Sequence, residues 1–273
     1  MSEQSKTLLI TGANGRVGRL LQAADLASVA WSGRGARQEL TWSPLDGTAA
    51  LLDWCAANGR PRALVMLAGV TPGPDARLDD NVALGIATLK GARHAGIGRV
   101  LLASSSAVYG SGRATPWDED DTCAPTNDYG RAKLAMEQAC TGPDVTHLRI
   151  GNVAGADALL TNERRPLVLD QFADGSGPVR SYIGPQTLGR VLLALALAPA
   201  LPPVLNIGTP EPVDMADLAA AAGLPVARQP APPQAIARLT LATGRLESLV
   251  RLQHTDSTAP AMIAEWRACK DPA

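Results

Sequence analysis

Tyr129 and Lys133, four residues apart in Tyr129-Gly130-Arg131-Ala132-Lys133, are with Ser105 upstream the residues of this chain best equipped for chemistry. On a helix, residues four apart stand one turn above each other on the same face, so the phenol and the ammonium would share one pocket. A free tyrosine titrates near ~10, and a fixed positive neighbour favours the phenolate, bringing its proton affinity towards the working pH where general acid/base transfer is efficient. Ser105 would hold the substrate oxygen. The three groups together could move a proton to or from a carbonyl oxygen.

Such groups need a partner for the carbon, and the amino-terminal segment supplies a place for one. Thr7-Leu8-Leu9-Ile10 is an apolar run of buried-strand character, followed by Thr11-Gly12-Ala13-Asn14-Gly15-Arg16-Val17-Gly18 and a helical pattern through Leu20, Leu21 and Ala24. Strand, glycine turn and helix form the dinucleotide-binding arrangement. Gly12 would make the tight turn, Gly15 admit a pyrophosphate to the backbone, and Gly18 let helix and strand pack closely, with free N–H groups at the helix start facing the anion.

Taken together, these motifs resemble the extended branch of the short-chain dehydrogenase/reductase superfamily, whose members include NAD-dependent epimerases and dehydratases. The resemblance rests on Tyr-x-x-x-Lys at Tyr129 and Lys133, on Ser104-Ser105-Ser106-Ala107-Val108-Tyr109-Gly110, and on the Gly-x-x-Gly-x-x-Gly spacing of Gly12, Gly15 and Gly18. It implies catalytic roles for Ser105, Tyr129, Lys133 and Asn81, the last holding a water that relays protons from Lys133. It also implies dinucleotide contacts from Gly12, Asn14, Gly15, Arg16, Val17, Gly18, Arg34, Asp46, Leu67, Ala68, Gly69, Tyr129, Lys133, Ile150, Gly151 and Val153. Thr71, Ser106, Asn152 and Arg180 are implied on the substrate side, Arg180 because Val179-Arg180-Ser181-Tyr182-Ile183 resembles the stretch whose arginine holds a diphosphate in sugar-nucleotide epimerases.

Which nicotinamide cofactor is used turns on the end of the second strand, where an acid usually binds the adenosine ribose hydroxyls of NAD. Here the chain reads Ser32-Gly33-Arg34-Gly35-Ala36-Arg37, without a carboxylate. A guanidinium at Arg34 suits a 2′-phosphate, so NADP is the expected cofactor, with NAD as the other candidate.

Apolar strands near Leu8, Val29, Leu64, Val100 and Val145 alternate with helices around Leu20, Leu51, Leu84 and Leu134. That alternation predicts an α/β fold: a Rossmann-type, doubly wound parallel sheet with its site beyond the carboxyl ends of the strands. Residues 1–150 are expected to form the dinucleotide-binding core, with 183–208 returning to it. Residues 151–182 and 209–273 are expected to form a small, discontinuous substrate-binding cap.

A formal charge of -1 gives no overall basic field for nucleic acid or anionic membrane. The longest apolar run, Val191 to Ala198, is too short to span a bilayer, and no signal peptide precedes Thr7. Cys55, Cys123, Cys140 and Cys269 lack metal-ligand or disulfide spacing, so no metal site is indicated and the expected location is cytoplasmic.

Ser105-Ser106-Ala107 lacks the Thr-Asp-Glu of sugar-nucleotide dehydratases, which argues against dehydration. The favoured reading is an NADP-dependent oxidoreductase reducing a ketone, aldehyde or keto-sugar. A nucleotide-sugar epimerase and a non-catalytic NADP-sensing protein are the alternatives. A homodimer is implied by the resemblance, through helices running from about Leu78 to His94 and from Asn127 to Cys140.

Overall fold

The computed structural model describes residues 6–35 and 38–270, so Arg37 lies outside the described residues. The first half contains β1 (Leu8–Thr11), α1 (Arg16–Ala23), β2 (Val29–Gly33), β3 (Leu40–Thr41), α2 (Ala49–Asn58), β4 (Ala63–Met66), α3 (Asp80–His94) and β5 (Val100–Ser105). It continues through α4 (Asp128–Ala139) and β6 (Val145–Ile150). Then come β7 (Asn152–Val153), β8 (Leu167–Gln171), β9 (Val179–Arg180), β10 (Tyr182–Ile183), α5 (Pro185–Leu197), β11 (Val204–Ile207) and β12 (Val213–Asp214). The chain closes with α6 (Met215–Ala221), β13 (Val226–Pro230), β14 (Arg238–Leu239), α7 (Gly244–Glu247) and α8 (Ala259–Lys270).

Seven strands form one parallel sheet in the spatial order β3-β2-β1-β4-β5-β6-β11. Both faces are covered, so the strands are apolar throughout rather than alternating. Side chains still divide by parity. Leu8 and Ile10 of β1 and Ala63 and Val65 of β4 pack with Leu21, Leu188, Val191 and Leu192 of α1 and α5. Leu9, Leu64 and Met66 pack on the other face with Leu51, Trp54, Leu84, Leu89 and Met136 of α2, α3 and α4. Two layers of helix around one parallel sheet make this a Rossmann-like α/β fold.

The strand order reverses between β1 and β4, which opens a crevice at their carboxyl ends. Gly12, at φ +83°, turns the chain there, and a Cβ on it would lie 2.5 Å from the Ala68 nitrogen after β4. Only glycine fits both demands.

A smaller assembly sits over that end of the sheet. It comprises the parallel pair β8–β13, the three-stranded β12-β9-β14 and the pair β7–β10. Its own core joins Leu167, Leu169, Tyr182, Leu218, Met262 and Ile263 of those strands, α6 and α8 with Leu159 and Leu160 from the turn between β7 and β8. The last helix fastens this assembly to the sheet. Glu265 accepts hydrogen bonds from the Thr187 backbone N–H and hydroxyl at the start of α5, at 2.9 and 2.6 Å. Trp266 packs so closely on Gly155 that a Cβ there would lie 2.0 Å from the indole. Among the described residues, no helix is long and apolar enough to cross a membrane.

Candidate active site

A groove runs along the carboxyl ends of the strands as two adjoining cavities, of about 300 and 390 Å3, which share Gly12, Gly15, Leu67, Gly69 and Val70. The larger is also bordered by Asn14, Gly33, Arg34, Pro44, Leu45 and Ala68. The smaller contains Arg16, Val17, Gly18, Ser105, Tyr129, Lys133, Ile150, Gly151, Asn152, Val153 and Thr71. The sequence motifs therefore meet in one continuous depression.

Local structure explains how Tyr129 reaches it. Asn127 caps α4, its side-chain oxygen accepting from the Gly130 N–H at 2.8 Å, which fixes where the first turn begins. A side chain on Gly130 would collide with the Ala107 carbonyl oxygen, 2.4 Å from its Cβ position, so glycine lets α4 lie against the turn after β5. Tyr129 and Ser105 then border the same cavity, the serine near enough to act on the phenol. Lys133 is buried one turn on, donating to the Ala103 carbonyl at 2.8 Å with its Nζ 5.9 Å from the Tyr129 ring centre.

The electrostatics differ from the expectation that the ammonium acidifies the phenol. Burial raises the Tyr129 phenol above its ordinary value, opposed by Ser105 and the positive charge of Arg16. Burial also lowers Lys133 to about 8, against a raising effect of Glu137. The reason is direction: Nζ points to the strand carbonyl rather than the phenol oxygen. Arg16, at the first position of α1, is the cation acting on the hydroxyl.

Several expected residues lie just outside the cavities. Asn81 is buried behind Gly69, its amide group donating to the carbonyls of Val70 and Leu78 and its oxygen accepting from the Val70 N–H. A Cβ on Gly69 would lie 3.0 Å from Asn81 Oδ1 and 3.1 Å from Lys133 Nζ, so those two atoms flank the same glycine. Asp46 ends an exposed 3-10 turn beside Leu45, and Ser106 begins the turn after β5; neither borders the groove. Arg180 is turned away from the catalytic cavity. Its guanidinium donates to the backbone carbonyls of Val179, Ile236 and Ala237 at 2.8, 2.7 and 3.2 Å.

At the other end of the groove stands Asp157, which no sequence motif names. Asp157 borders the smaller cavity and accepts the Tyr182 hydroxyl hydrogen bond at 2.6 Å. Burial raises the Asp157 carboxyl, opposed first by that hydrogen bond. Tyr182-Ile183 was legible only as part of a motif, and nothing near Asp157 in the sequence marks it.

Where a dinucleotide would lie, the protein offers what the group requires. The glycine turn exposes backbone at the start of α1, Thr11 Oγ1 is buried without a partner beside the larger cavity, and among the described residues the end of β2 carries Arg34, with the carboxylate of Asp80 from α3 bordering the same cavity.

Comparison with known proteins agrees. Residues 8–183, more than half the chain, match the NAD dependent epimerase/dehydratase family. A UDP-glucose 4-epimerase of Azospirillum brasilense is 36% identical over 123 residues, 41% of this chain and 35% of that protein. A UDP-glucose 4-epimerase of Rhizobium leguminosarum bv. trifolii is 29% identical over 175 residues, 56% of this chain and 53% of that protein. The match therefore spans about half or less of the length of these relatives. In fold, the chain resembles the solved UDP-glucose 4-epimerase of Brucella ovis in complex with NAD, with a TM-score of 0.75 at 19% identity over 94% of this chain and 95% of that one. The chain belongs to the NAD dependent epimerase/dehydratase family, of the extended short-chain dehydrogenase/reductase type.

Proposed function

We propose that this enzyme is a sugar epimerase: it oxidises one carbinol carbon of a bound sugar and reduces the resulting ketone from its other face. The observation that carries this reading is that Ser105, Tyr129 and Lys133 border one groove together with the glycine turn. The family and the UDP-glucose 4-epimerase relatives favour it over the net carbonyl reduction expected from the sequence. A nicotinamide held along the groove by the glycine turn, Ile150 and Gly151 would supply a reversible hydride acceptor for the carbon.

Tyr129 accepts the proton of the reacting hydroxyl as the carbon is oxidised, and gives it back to the ketone oxygen on the return. Ser105 donates to that oxygen while it carries developing charge. Lys133, held by the Ala103 carbonyl, supplies positive charge beneath the site. Epimerisation also needs room for the ketone to present both faces. The substrate side supports this with short side chains at Val70, Thr71 and Ala156, and with polar groups at Asn152 and Asp157 to hold ring hydroxyls.

For the cofactor, exposed Arg34 at the end of β2 supports NADP, alongside the NAD named for the family. Packing of α3 and α4 of one copy against the same helices of another is the proposed dimer, with Ile86 of α3, 48% exposed, at its centre.

Incubation with UDP-galactose, followed by NMR, tests the reaction. Appearance of UDP-glucose with no net change in nicotinamide absorbance is the expected result. Stoichiometric NADPH consumption by simple ketones, without epimerisation, would replace this reading with the reductase.

A further inference from the structure

Two consecutive residues of β5 are fastened to successive turns of α4, and the next, Ser105, borders the same cavity as Tyr129. The Ala103 carbonyl accepts from Lys133, and the Ser104 hydroxyl donates to Glu137 Oε1 at 2.5 Å. Tyr129, Lys133 and Glu137 are spaced by four along one helix, so the catalytic pair and this carboxylate share a face. Glu137 is 6% exposed and clamped from β6 by Arg149, whose Nη2 donates to Oε2 at 2.8 Å and whose Nε lies 3.2 and 3.3 Å from the two oxygens. Ser104 and Arg149 are register partners, so Glu137 sits over the junction of β5 and β6.

We propose that Glu137 is a positioning residue: clamped by Ser104 and Arg149, it locks α4 onto β5 in the register that sets Ser105 and Tyr129 on one cavity, and it presents a compensating negative charge to buried Lys133. The proposal rests on the catalytic reading of Tyr129 and Lys133. A buried ion pair alone is weak support for stability, since apolar residues of similar volume often serve as well. An apolar pair could not help Lys133, which is 4% exposed and hydrogen-bonded to a neutral carbonyl.

The groups facing Glu137 are compatible with this role. Lys133 is on its own helix, Ser104 on β5, Arg149 and His147 on β6, and Cys123 on the connection before α4. Burial lowers His147, which favours the neutral imidazole, and raises the Cys123 thiol, which favours its neutral form. Arg149 is held from behind by the Tyr109 hydroxyl and the Glu119 carbonyl, both at 3.1 Å. The negative end of the Glu137–Arg149 pair thus faces the lysine, and Glu137 acts to keep Lys133 protonated.

The test is an NMR titration of Lys133 in the full chain carrying 13Cε-labelled lysine, its signal identified by loss in Lys133→Arg. Glu137→Gln is expected to move the Lys133 midpoint down by about one pH unit, and the alkaline limb of turnover with it. Where burial of unpaired Arg149 prevents that variant from folding, Glu137→Gln combined with Arg149→Met removes both charges and is expected to give the same displacement. A folded variant whose Lys133 titrates within about 0.3 of a unit of the wild type would overturn the proposal. Undiminished turnover in Tyr129→Phe would instead remove the catalytic reading, whatever Lys133 does.

Discussion

The two ends of the catalytic groove are built by different means. On the dinucleotide side, short contiguous stretches do the work: residues 11–18 at the turn, 33–34 at the end of β2 and 67–70 after β4. On the proposed substrate side, segments far apart in the chain are joined. Asp157 is met by Tyr182, and Arg180 by the carbonyls of Ile236 and Ala237. Lys133 and Arg180 show the contrast most directly, since both are cations donating to main-chain carbonyls. Lys133 does so inside the catalytic cavity, whereas Arg180 uses its donors to join β9 to the segment before β14. The residues of the glycine motif thus border the groove, while Arg180, matched in the same way, binds main-chain carbonyls outside it.

The largest effect is expected where chemistry concentrates. Tyr129→Phe should lower turnover by roughly 10²- to 10⁴-fold while leaving dinucleotide affinity unchanged in a binding titration. A loss of affinity with turnover intact would move the phenol to the binding side of the comparison.

Lys133→Met comes next, and its effect on stability carries a sign. The folded value of about 8 lies below the ordinary lysine value of 10.5. Between those values the unfolded chain holds a proton that the folded one has released, so stability rises with pH across that window. Below pH 8 the cost of burying the charge is fully present. Lys133→Met should thus unfold at higher denaturant at pH 7, by up to roughly 3 kcal/mol less the Ala103 hydrogen bond, and this advantage should shrink between pH 8 and 10.5. A gain independent of pH would contradict it.

Arg180→Ala should cost about 2 kcal/mol of stability, through loss of its carbonyl contacts, and leave KM for a UDP-sugar unchanged. A raised KM at unchanged melting temperature would return Arg180 to the anion site. Arg34→Ala has the smallest expected effect, about tenfold weaker NADP binding, or ~1.4 kcal/mol, with NAD unaffected. Equal losses for both dinucleotides would show that Arg34 does not sense the 2′-phosphate.

The same contrast marks what the sequence made legible. Strands such as Leu8–Thr11 and Ala63–Met66 are apolar runs bounded by turn residues, and the glycine spacing has a local steric meaning at Gly12 and Gly18. The parallel pair of β8 and β13 was invisible, because Leu167–Gln171 and Val226–Pro230 show no periodicity that names a distant partner. Spacing put Tyr129 and Lys133 on one face, but not the direction of the ammonium, which the Ala103 carbonyl decides. Asp157 and the Glu137–Arg149 clamp become meaningful only through partners elsewhere in the chain.

The anchoring of α8 also orders the making of the protein. Once β11 has left the ribosome the parallel sheet has all its strands, and Gly12 can already meet Ala68. Gly155, beside the loop that carries Asp157, must wait for Trp266, and the amino end of α5 for Glu265. During synthesis the parallel sheet and its glycine turn are thus complete before the contacts of α8 with Gly155 and α5 can form.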